Sequence, residues 1–384
     1  MTQLFPNYKR KNIEFVAGDK NYLIDSDGKK YLDFTSGIGV VNLGYNHPVL
    51  NQVLKEQSEK IWHTPNLYEN SLQEDLAKQL AGASDYLAYF CNSGAEANEA
   101  AIKLARKATG RSKIITFEQS FHGRTFGAMS ATGQAAIHQG FYPLLPEFAY
   151  VPYNALDKLE QELDGNTAAV MLELIQGEGG VIPAEKQWIK QVVALCEKNG
   201  SLVIVDEVQT GIGRTGAFYV SEAYDITPDV ITLAKGLGNG FPVGAMLGKA
   251  KYADAFQAGS HGSTFGGNKL AMAVAGEVVS LIRQPEFLAD TKKKGLFAME
   301  TLEKCLSGNP IVTNVRGMGL MIGIELSDRQ LLELAIDKLQ QKNVLVLKAG
   351  STVLRLLPPL TITENELTEG IEKIDQVLEE LAHV

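Results

Sequence analysis

The 384-residue sequence is 45% hydrophobic and 21% charged, which suffices for a large core and for more than one domain. The formal net charge of -9 argues against a general nucleic-acid or anionic-membrane surface, and three scattered cysteines without a C-x-x-C pair argue against a disulfide framework or a zinc site. The N-terminus lacks the apolar core of a signal peptide and no apolar stretch approaches the ~18–20 residues of a membrane span, so we expect a protein of the reducing cytoplasm.

The middle of the chain predicts an alternation of strands and helices. A short strand over 87–92 precedes a helix over 93–110. In that helix Ser93 is the predicted N-cap, Glu96 completes a capping box and Gly110 ends the last turn. Further strands are predicted at 113–117, 168–174, 202–207 and 229–234, with a helix at 185–199. Because the strands are nearly continuous apolar runs, we expect an α/β fold with a mainly parallel sheet buried on both faces.

The last hundred residues have a different pattern, which predicts a second, smaller sheet. Its strands are expected at 315–326, 343–349 and 352–360. An amphipathic helix is predicted from Thr363 to the end of the chain. The first forty residues are strand-rich and are expected to join this part. The sequence thus predicts a large domain over 45–284 and a smaller α/β domain formed by 1–44 and 285–384.

Polar residues follow the predicted strands of the large domain. Ser93 and Gly94 follow the first, and the segments EQSFHGRT, IQGEGG and DEVQ follow or end the next three. The fifth strand ends in Lys235, which opens a loop with three glycines. Ligands of parallel α/β sheets bind beyond the carboxyl ends of the strands, so we expect a site at this edge.

Lys235 and Asp206 are the strongest candidates for chemistry. A lysine at a strand end is most often a solvated surface residue, but one desolvated by an apolar strand has a lowered pKa and acts as a nucleophilic amine towards carbonyl compounds. Asp206 follows four apolar residues, 202–205, and a buried carboxylate there needs a cationic partner or several donors. A helix cap, a salt bridge or a protonated pyridine nitrogen would each meet that need.

Two glycine-containing segments offer anion sites of unequal strength. Ser93-Gly94 opens a helix whose free N–H groups favour a phosphate, although simple capping also explains Ser93. The segment GIGRTG at 211–216 matches G-x-G-x-x-G literally. It does not lie directly between a strand and an apolar helix, which argues against a dinucleotide site, and the chain has no GxxxxGK[ST] phosphate loop.

The candidate groups near this sheet edge suit pyridoxal 5′-phosphate (PLP), an aldehyde with a pyridine ring and a phosphate. They are an amine nucleophile, a buried carboxylate, an anion-binding helix start and an aromatic residue, Phe121. The segments around these residues resemble those of a known family, the class III, PLP-dependent ω-aminotransferases of fold type I. The resemblance runs from about residue 10 to the end and is carried by NSGAEANEAAIKLAR, SFHGRT, LELIQGEGGV, VDEVQTGIGRTG, ITLAKGLGNGFPVGA, HGSTFGGN and VRGMGLMIGIEL.

The resemblance implies a set of cofactor contacts. Lys235 would carry the cofactor covalently and then shuttle the proton of the reaction. Asp206 would pair with the ring N–H, Phe121 would stack on the ring and Gln209 would donate to the phenolic oxygen. The other implied contacts are Ser93, Gly94, Val208 and, from the neighbouring subunit, Thr264. The resemblance therefore also implies a homodimer with shared active sites.

The resemblance further implies an exchange of amino groups with glutamate, in the branch that acts on N-acetylornithine in arginine biosynthesis. Arg124, with Ser263 nearby, would grip the α-carboxylate of acetylornithine, and Arg355 would bind glutamate. Glu178 would cover Arg355 while the ω-amine is bound. For each arginine a structural ion pair is the alternative.

The substrate is open between several ω-amines. Ile38 stands where ornithine aminotransferases carry a tyrosine, and an apolar residue suits an N-acetyl group better. Leu174 and Tyr45 depart from the family pattern, which often has proline and histidine there. Ornithine, succinylornithine, N-succinyldiaminopimelate and 4-aminobutyrate are alternative substrates. A glutamate-1-semialdehyde aminomutase shares much of the pattern, but FHGRT argues against it, and the presence of Lys235 and Asp206 argues against a non-catalytic PLP-binding protein.

Overall fold

The computed structural model describes residues 2–383, so Met1 and Val384, which the predictions included, lie outside the described residues. Its strands are, in chain order, β1 (Phe15–Asp19), β2 (Tyr22–Asp25), β3 (Lys30–Asp33), β4 (Tyr86–Cys91), β5 (Lys113–Phe117), β6 (Phe148–Val151), β7 (Thr167–Leu172), β8 (Ile175–Gln176), β9 (Ile182–Pro183), β10 (Leu202–Asp206), β11 (Val230–Leu233), β12 (Gly244–Lys249), β13 (Val312–Met318), β14 (Met321–Leu326), β15 (Val344–Leu345), β16 (Leu347–Ala349) and β17 (Val353–Leu356).

The α-helices lie between and after these strands. In chain order they are α1 (Ser36–Gly39), α2 (Pro48–Ser58), α3 (Ser71–Ala81), α4 (Gly94–Thr109), α5 (Phe126–Ala131), α6 (Ala135–His138), α7 (Leu156–Glu162), α8 (Lys186–Asn199), α9 (Val220–Ala223), α10 (Lys269–Ile282), α11 (Pro285–Cys305), α12 (Arg329–Gln341) and α13 (Glu364–Ala382). Within residues 2–383, none of them combines the length and the apolar character that crossing a membrane requires.

A seven-stranded sheet forms the centre of the molecule, in the order β4-β12-β11-β10-β7-β5-β6. The strands β11, β10, β7, β5 and β6 run parallel, while β12 is antiparallel to both of its neighbours. Strands β7 and β10 are buried along their whole length, as their continuous apolar runs predict. The prediction of an α/β fold with a mainly parallel sheet is confirmed.

The C-terminal strands differ from the prediction in two places. The predicted strand over 315–326 is wrong, since Gly319, with a φ of 55°, turns the chain and makes β13 and β14 an antiparallel hairpin. The predicted strand over 343–349 is also wrong, because it divides between two sheets. There β15 pairs with β3, and β16 pairs with β17. The expected single small sheet is therefore two four-stranded sheets, β1-β2-β3-β15 and β13-β14-β17-β16.

The packing of the two ends of the chain supports the proposed small domain, whose bounds stay a prediction. Strand β3 is parallel to β15, with Leu32 opposite Val344. One hydrophobic cluster contains Leu32 and Phe34 together with buried residues of 298–381, and none from 45–284. A separate cluster collects apolar side chains between Leu43 and Ile282.

Candidate active site

Lys235 lies beyond the C-terminal end of β11, where the chain leaves the buried sheet. Lys235 opens a short 3-10 turn that runs to Leu237. Its φ is 45°, in the left-handed region that favours glycine. Gly236 packs against Asn42 so closely that an added Cβ would stand 2.4 Å from Nδ2 of the asparagine. The residue after Lys235 therefore has to be a glycine, because the side chain of Asn42 occupies the space of a Cβ.

The environment of Lys235 disfavours its ammonium form. Burial lowers the pKa of Lys235, the charge of Glu178 opposes that shift, and the charge of Arg355 adds to it. A lysine with a lowered pKa is uncharged in a larger fraction of molecules at neutral pH, and only the uncharged amine is a nucleophile. This is the property that the sequence predicts for a lysine at the end of a buried strand.

Asp206 ends strand β10, next to β11, and its side chain is held by three donors. Its carboxylate is 4% exposed. Oδ2 accepts from Nδ2 of Asn98 at 2.8 Å and lies 2.7 Å from Nδ1 of His122, while Oδ1 accepts from the backbone N–H of Val208 at 3.0 Å. No lysine or arginine of residues 2–383 forms an ion pair with Asp206. Of the three explanations for this buried carboxylate, a salt bridge to a lysine or an arginine is therefore excluded within that range, and His122 is the one ionisable side chain bonded to it.

The first turn of α4 has the geometry of an anion site. The side chain of Ser93 accepts from the N–H of Glu96 and caps the helix, as predicted. The predicted capping box is wrong in its second half, because Glu96 accepts from the N–H of Asn92 and not from that of Ser93. Gly94 faces Val208, whose Cγ1 would lie 2.8 Å from an added Cβ. The N–H groups of this turn, which lack acceptors within the helix, can therefore approach a ligand closely.

These groups surround one cavity of about 410 Å³. Most of the predicted site residues line it, namely Ser93, Gly94, Phe121, Arg124, Glu178, Asp206, Val208, Gln209 and Lys235. Parallel strands explain this convergence, since they place the polar residues that follow them at one edge of the sheet. Three predicted residues, Ser263, Thr264 and Arg355, are not in its lining.

Arg355, on β17, lies directly behind Glu178. Its side chain is 2% exposed, and Nη1 donates to Oε1 of Glu178 at 2.7 Å and to Oε1 of Gln209 at 3.1 Å. Burial acts to raise the pKa of Glu178, but the charge and hydrogen bond of Arg355, together with the charge of Lys235 and the hydrogen bond of Gln209, outweigh it, and the net shift is downward. An ionised Glu178 thus separates a buried guanidinium from the cavity.

Arg124 lies at the mouth of the cavity. Its side chain is exposed, and its guanidinium carbon is 5.6 Å from the centre of the Phe121 ring. A second cavity, of about 390 Å³, adjoins the first and shares Phe121, Arg124 and Glu178 with it. Arg124 therefore borders both spaces, as a residue that binds one end of an elongated substrate would.

Ser263 and Thr264 lie at the edge of the site rather than in it. Oγ of Ser263 accepts from Nδ2 of Asn92 at 3.2 Å and from the N–H of Gly266 at 2.9 Å. Thr264 is exposed. Ser263 thus touches the cavity lining only through Asn92, and the predicted contact of Thr264 with a neighbouring subunit stays a prediction.

Comparison with known proteins agrees with this geometry. Residues 6–378 match the family described as aminotransferase class III. The chain belongs to the class III aminotransferases. It is similar to the acetylornithine aminotransferase of Streptococcus mutans serotype c, with 53% identity over 99% of this chain and 100% of that protein. The acetylornithine aminotransferase of Bacillus subtilis (strain 168) is 50% identical, over 98% of each chain.

Solved structures of aminotransferases share the fold. The N-acetylornithine aminotransferase of Stenotrophomonas maltophilia K279a superposes with a TM-score of 0.85, at 35% identity over 97% of both chains. The ornithine aminotransferase of Toxoplasma gondii ME49 superposes with a TM-score of 0.94, at 30% identity over 99% of this chain and 93% of that one. Fold type I, the prediction from the sequence, is thereby confirmed.

Class III aminotransferases depend on PLP, and the residues of the cavity fit this cofactor. Gly94 has no side chain to cover the N–H groups at the start of α4, and Val208 would clash with an added Cβ. The helix start is therefore open to a close phosphate. Asp206 presents a buried carboxylate to the cavity without a lysine or arginine partner among residues 2–383, which suits a protonated ring nitrogen. Lys235 offers an amine with a lowered pKa. Together these groups fit the phosphate, the ring nitrogen and the aldehyde of the cofactor.

The predictions missed several residues that line the aminotransferase cavity, among them Val40, Asn98, His122 and Glu173. Glu173 accepts from the N–H of Phe121 at 3.1 Å and from that of Gly177 at 3.1 Å. Burial raises the pKa of Glu173 to about 7. The sequence did offer a signal for Glu173, because it is the one charged residue in the otherwise apolar strand predicted at 168–174. A buried carboxylate needs hydrogen-bond donors or a cationic partner.

Ile38, the residue predicted to lie beside an N-acetyl group, is 46% exposed. It belongs to α1, in which Gly37 and Ile38 both have positive φ. From the same segment Val40, and not Ile38, lines the cavity of this chain. The role of Ile38 stays a prediction.

Proposed function

We propose that this aminotransferase moves the ω-amino group of N2-acetyl-L-ornithine to 2-oxoglutarate. The reversible products are N-acetyl-L-glutamate 5-semialdehyde and L-glutamate, formed by a ping-pong mechanism in arginine biosynthesis. The observation that carries this proposal is the identity of 50 to 53% with relatives named acetylornithine aminotransferase, over nearly the whole chain. The pair of Arg355 and Glu178 beside Lys235 supports it, because the two half-reactions need different carboxylate contacts.

Lys235 is the catalytic residue of this proposal. When bound, PLP supplies the electron sink that allows a C–H bond next to the substrate nitrogen to ionise. Nζ of Lys235 would hold the cofactor and, once free of it, would take up the proton from the substrate carbon. The lowered pKa of Lys235 suits this task, since a general base must be unprotonated before it acts.

Asp206 would pair with the ring N–H of the cofactor in the same reaction. Its charge faces the position of the ring nitrogen, and Asn98 and His122 fix its Oδ2 from the side. Phe121, Val208, Gln209, Ser93 and Gly94 line the same cavity. Phe121 and Val208 would hold the ring, Gln209 would donate to its phenolic oxygen, and Ser93 and Gly94 would bind the phosphate. A carboxylate held by several hydrogen bonds does not have to reorganise when charge develops on the ring.

Two arginines distinguish the two amino donors. Arg124, exposed at the mouth, binds the α-carboxylate of acetylornithine bidentately, with Ser263 nearby. Arg355 binds glutamate after Glu178 has moved aside. While acetylornithine is bound, Glu178 keeps Arg355 neutralised, so that the α-carboxylate is directed to Arg124.

The active enzyme of this proposal is a homodimer with shared sites. Thr264 is exposed and lies next to Phe265, which is 62% exposed. Nδ2 of Asn66 donates to the carbonyls of Ser263 and Gly266, which ties the 62–68 segment to this loop. That segment also has large exposed apolar side chains, namely Trp62, Leu67 and Tyr68. Such a patch favours a subunit interface through which Thr264 reaches the phosphate of the partner's site.

The large domain of 45–284 carries the cofactor contacts, and the small domain of 1–44 and 285–384 supplies Arg355. The substrates are small molecules, and we place the reaction in the cytoplasm, away from nucleic acid and membrane. The expected dimer can be measured by analytical ultracentrifugation. A monomer with full activity would contradict the shared site.

The substrate is tested with a panel of amine donors and 2-oxoglutarate as acceptor. We expect kcat/KM for acetylornithine to exceed that for ornithine, succinylornithine and 4-aminobutyrate by about tenfold or more. Borohydride reduction followed by peptide mass spectrometry should place the cofactor on Lys235. Lys235→Ala should abolish both the transamination activity and the borohydride label on this peptide. Lys249→Ala, which removes a partner of Asp229, should keep both.

Ornithine is the second candidate, favoured by the TM-score of 0.94 with an ornithine aminotransferase. The sequence identity to that protein is 30%, against 53% to a relative named for acetylornithine. A larger kcat/KM for ornithine in the same panel would decide for this alternative.

A further inference from the structure

Arg214, in the segment GIGRTG, is completely buried and has no acidic partner among residues 2–383. It is 0% exposed, and its four hydrogen bonds go to neutral oxygens. Nη1 donates to the carbonyls of Leu320 and Pro358, and Nη2 donates to Oγ of Ser36 at 3.2 Å and to Oδ1 of Asn42 at 2.7 Å. Burial lowers the pKa of Arg214 to about 9. Keeping a guanidinium there costs free energy, so its contacts need an explanation.

The contacts of Arg214 join three parts of the chain that are far apart in sequence. Arg214 belongs to the segment after β10, its carbonyl acceptors belong to the C-terminal part, and Ser36 and Asn42 belong to the N-terminal part. We call residues 36–44 the N-terminal strap. Val40 of this strap lines the active-site cavity. Arg214 thus lies where both ends of the chain meet the sheet.

The N-terminal strap is attached on its other side to the loop that contains Lys235. The amide of Asn42 lies against Gly236, at the distance that excludes a Cβ, and its Nδ2 also donates to the carbonyl of Ile212 at 2.9 Å. Asn239 bonds the same strap twice, through the N–H of Leu43 at 2.7 Å and the carbonyl of Gly44 at 3.1 Å. The strap is therefore fixed between the GIGRTG segment and the glycine loop.

Lys235 needs such support because its backbone is strained. A φ of 45° in a lysine is unfavourable and persists only where the surroundings enforce it. On the C-terminal side of Lys235 the surroundings are Gly236 and the amide of Asn42. Asn42 in turn is oriented by Arg214, which accounts for a buried guanidinium at this place.

We propose that Arg214 is a positioning residue for the aminotransferase reaction: through Asn42 it holds Gly236 and so fixes the turn from which Lys235 acts. The proposal rests on Lys235 being the reacting amine, as proposed above. It assigns to the GIGRTG segment a function in place of the dinucleotide site that its glycines resemble. Arg214 does not line the active-site cavity, so its effect must pass through the strap.

The test compares Asn42→Ala with a matched control, Asn21→Ala. Asn21 is 3% exposed, accepts from Oγ1 of Thr361 at 2.9 Å and donates to Oε2 of Glu366 at 2.8 Å. Its side chain therefore ties the N-terminal part to the C-terminal part, as that of Asn42 ties the N-terminal part to the GIGRTG segment, but it has no contact with the Lys235 loop. Arg214→Lys and the double variant complete the set, and Asn42→Ala carries the test if Arg214→Lys does not fold.

The kinetic constants kcat and KM for both substrates and the melting temperature are measured with saturating PLP. The labelling of Lys235 by acetic anhydride, relative to surface lysines, is measured on the cofactor-free enzyme. We expect Asn42→Ala and Arg214→Lys to lower kcat about tenfold or more, since small displacements of a reacting group have large effects, while KM changes less than about threefold. The acetic anhydride labelling of Lys235 should change in the same two variants that lose kcat. Asn21→Ala should lower the melting temperature alone.

Two outcomes would overturn this proposal and leave the proposed function intact. If Asn42→Ala and Asn21→Ala lower the melting temperature alike and spare both kcat and Lys235 labelling, Arg214 serves folding only. If Arg214→Lys lowers kcat as much in the Asn42→Ala background as in the wild type, the two residues act independently. Borohydride trapping of the wild-type cofactor at a residue other than Lys235 would refute the proposed function itself, and this proposal with it.

Discussion

Arg355 donates to Glu178 across 2.7 Å while its own side chain is only 2% exposed. Removing one partner of a buried pair leaves the other charge without compensation, so the pair is stable only as a pair or with a replacement anion. A substrate carboxylate is such a replacement. We therefore expect the pair to act as a two-state device, in which either Glu178 or glutamate neutralises the same guanidinium.

Glu178→Gln should affect the two half-reactions unequally. The variant removes the negative charge and leaves Arg355 open to any carboxylate, so acetylornithine can bind in a non-productive orientation. We expect the half-reaction with acetylornithine to slow about tenfold more than that with glutamate. Stopped-flow absorbance of each half-reaction, with one substrate at a time, measures this. Glu380→Gln, which breaks the exposed pair with Lys338, is the control, and equal losses in the two half-reactions would count against the switch.

Arg124→Lys should raise KM for acetylornithine by about tenfold, since lysine keeps the charge but cannot bind a carboxylate bidentately. Arg106→Lys is a matched control, because Arg106 lies over the ring of Phe148 at 5.2 Å much as Arg124 lies over Phe121. Steady-state kinetics with varied acetylornithine gives the result. An unchanged KM would remove Arg124 from the substrate site.

Gly94→Ala should weaken PLP binding by about tenfold or more. The added Cβ would stand 2.8 Å from Cγ1 of Val208, so either the helix start or the valine must move. Gly276→Ala, within α10, is the control, since it has no neighbouring atom within 4 Å and should stabilise slightly. Titration of cofactor-free enzyme with PLP, followed by fluorescence, compares them. Equal affinities would contradict a close phosphate at Gly94.

Glu207 should make stability fall with rising pH. Burial raises its pKa from 4.5 to about 7, although the N–H groups of Val220 and Ser221 donate to it. Because the folded-state pKa is the higher one, this contribution is fully present below about pH 4.5 and is lost as the pH rises through about 7, by at most about 3 kcal/mol. Melting temperatures of wild type and Glu207→Gln across this range measure it. Parallel curves would contradict the prediction.

Local sequence patterns were sufficient for five of the seven strands of the central sheet, while β6 and β12 were missed. Strand β5 and helix α8 lie within one residue of their predicted bounds, because a buried parallel strand and an amphipathic helix have clear periodicities. The hairpin at Gly319 was missed, since a glycine inside an apolar run can be either a turn or a bulge. The choice between them depends on contacts with other segments.

The sequence by itself determined that Lys235 and Asp206 belong to one site, because both end buried strands of a parallel sheet and such ends converge. Only the tertiary structure decided which arginines are buried and which groups accept their hydrogen bonds. Arg355 is covered by Glu178, and Arg214 is surrounded by neutral oxygens from both ends of the chain. The burial of a charge is a property of packing between distant segments, and no local periodicity encodes it.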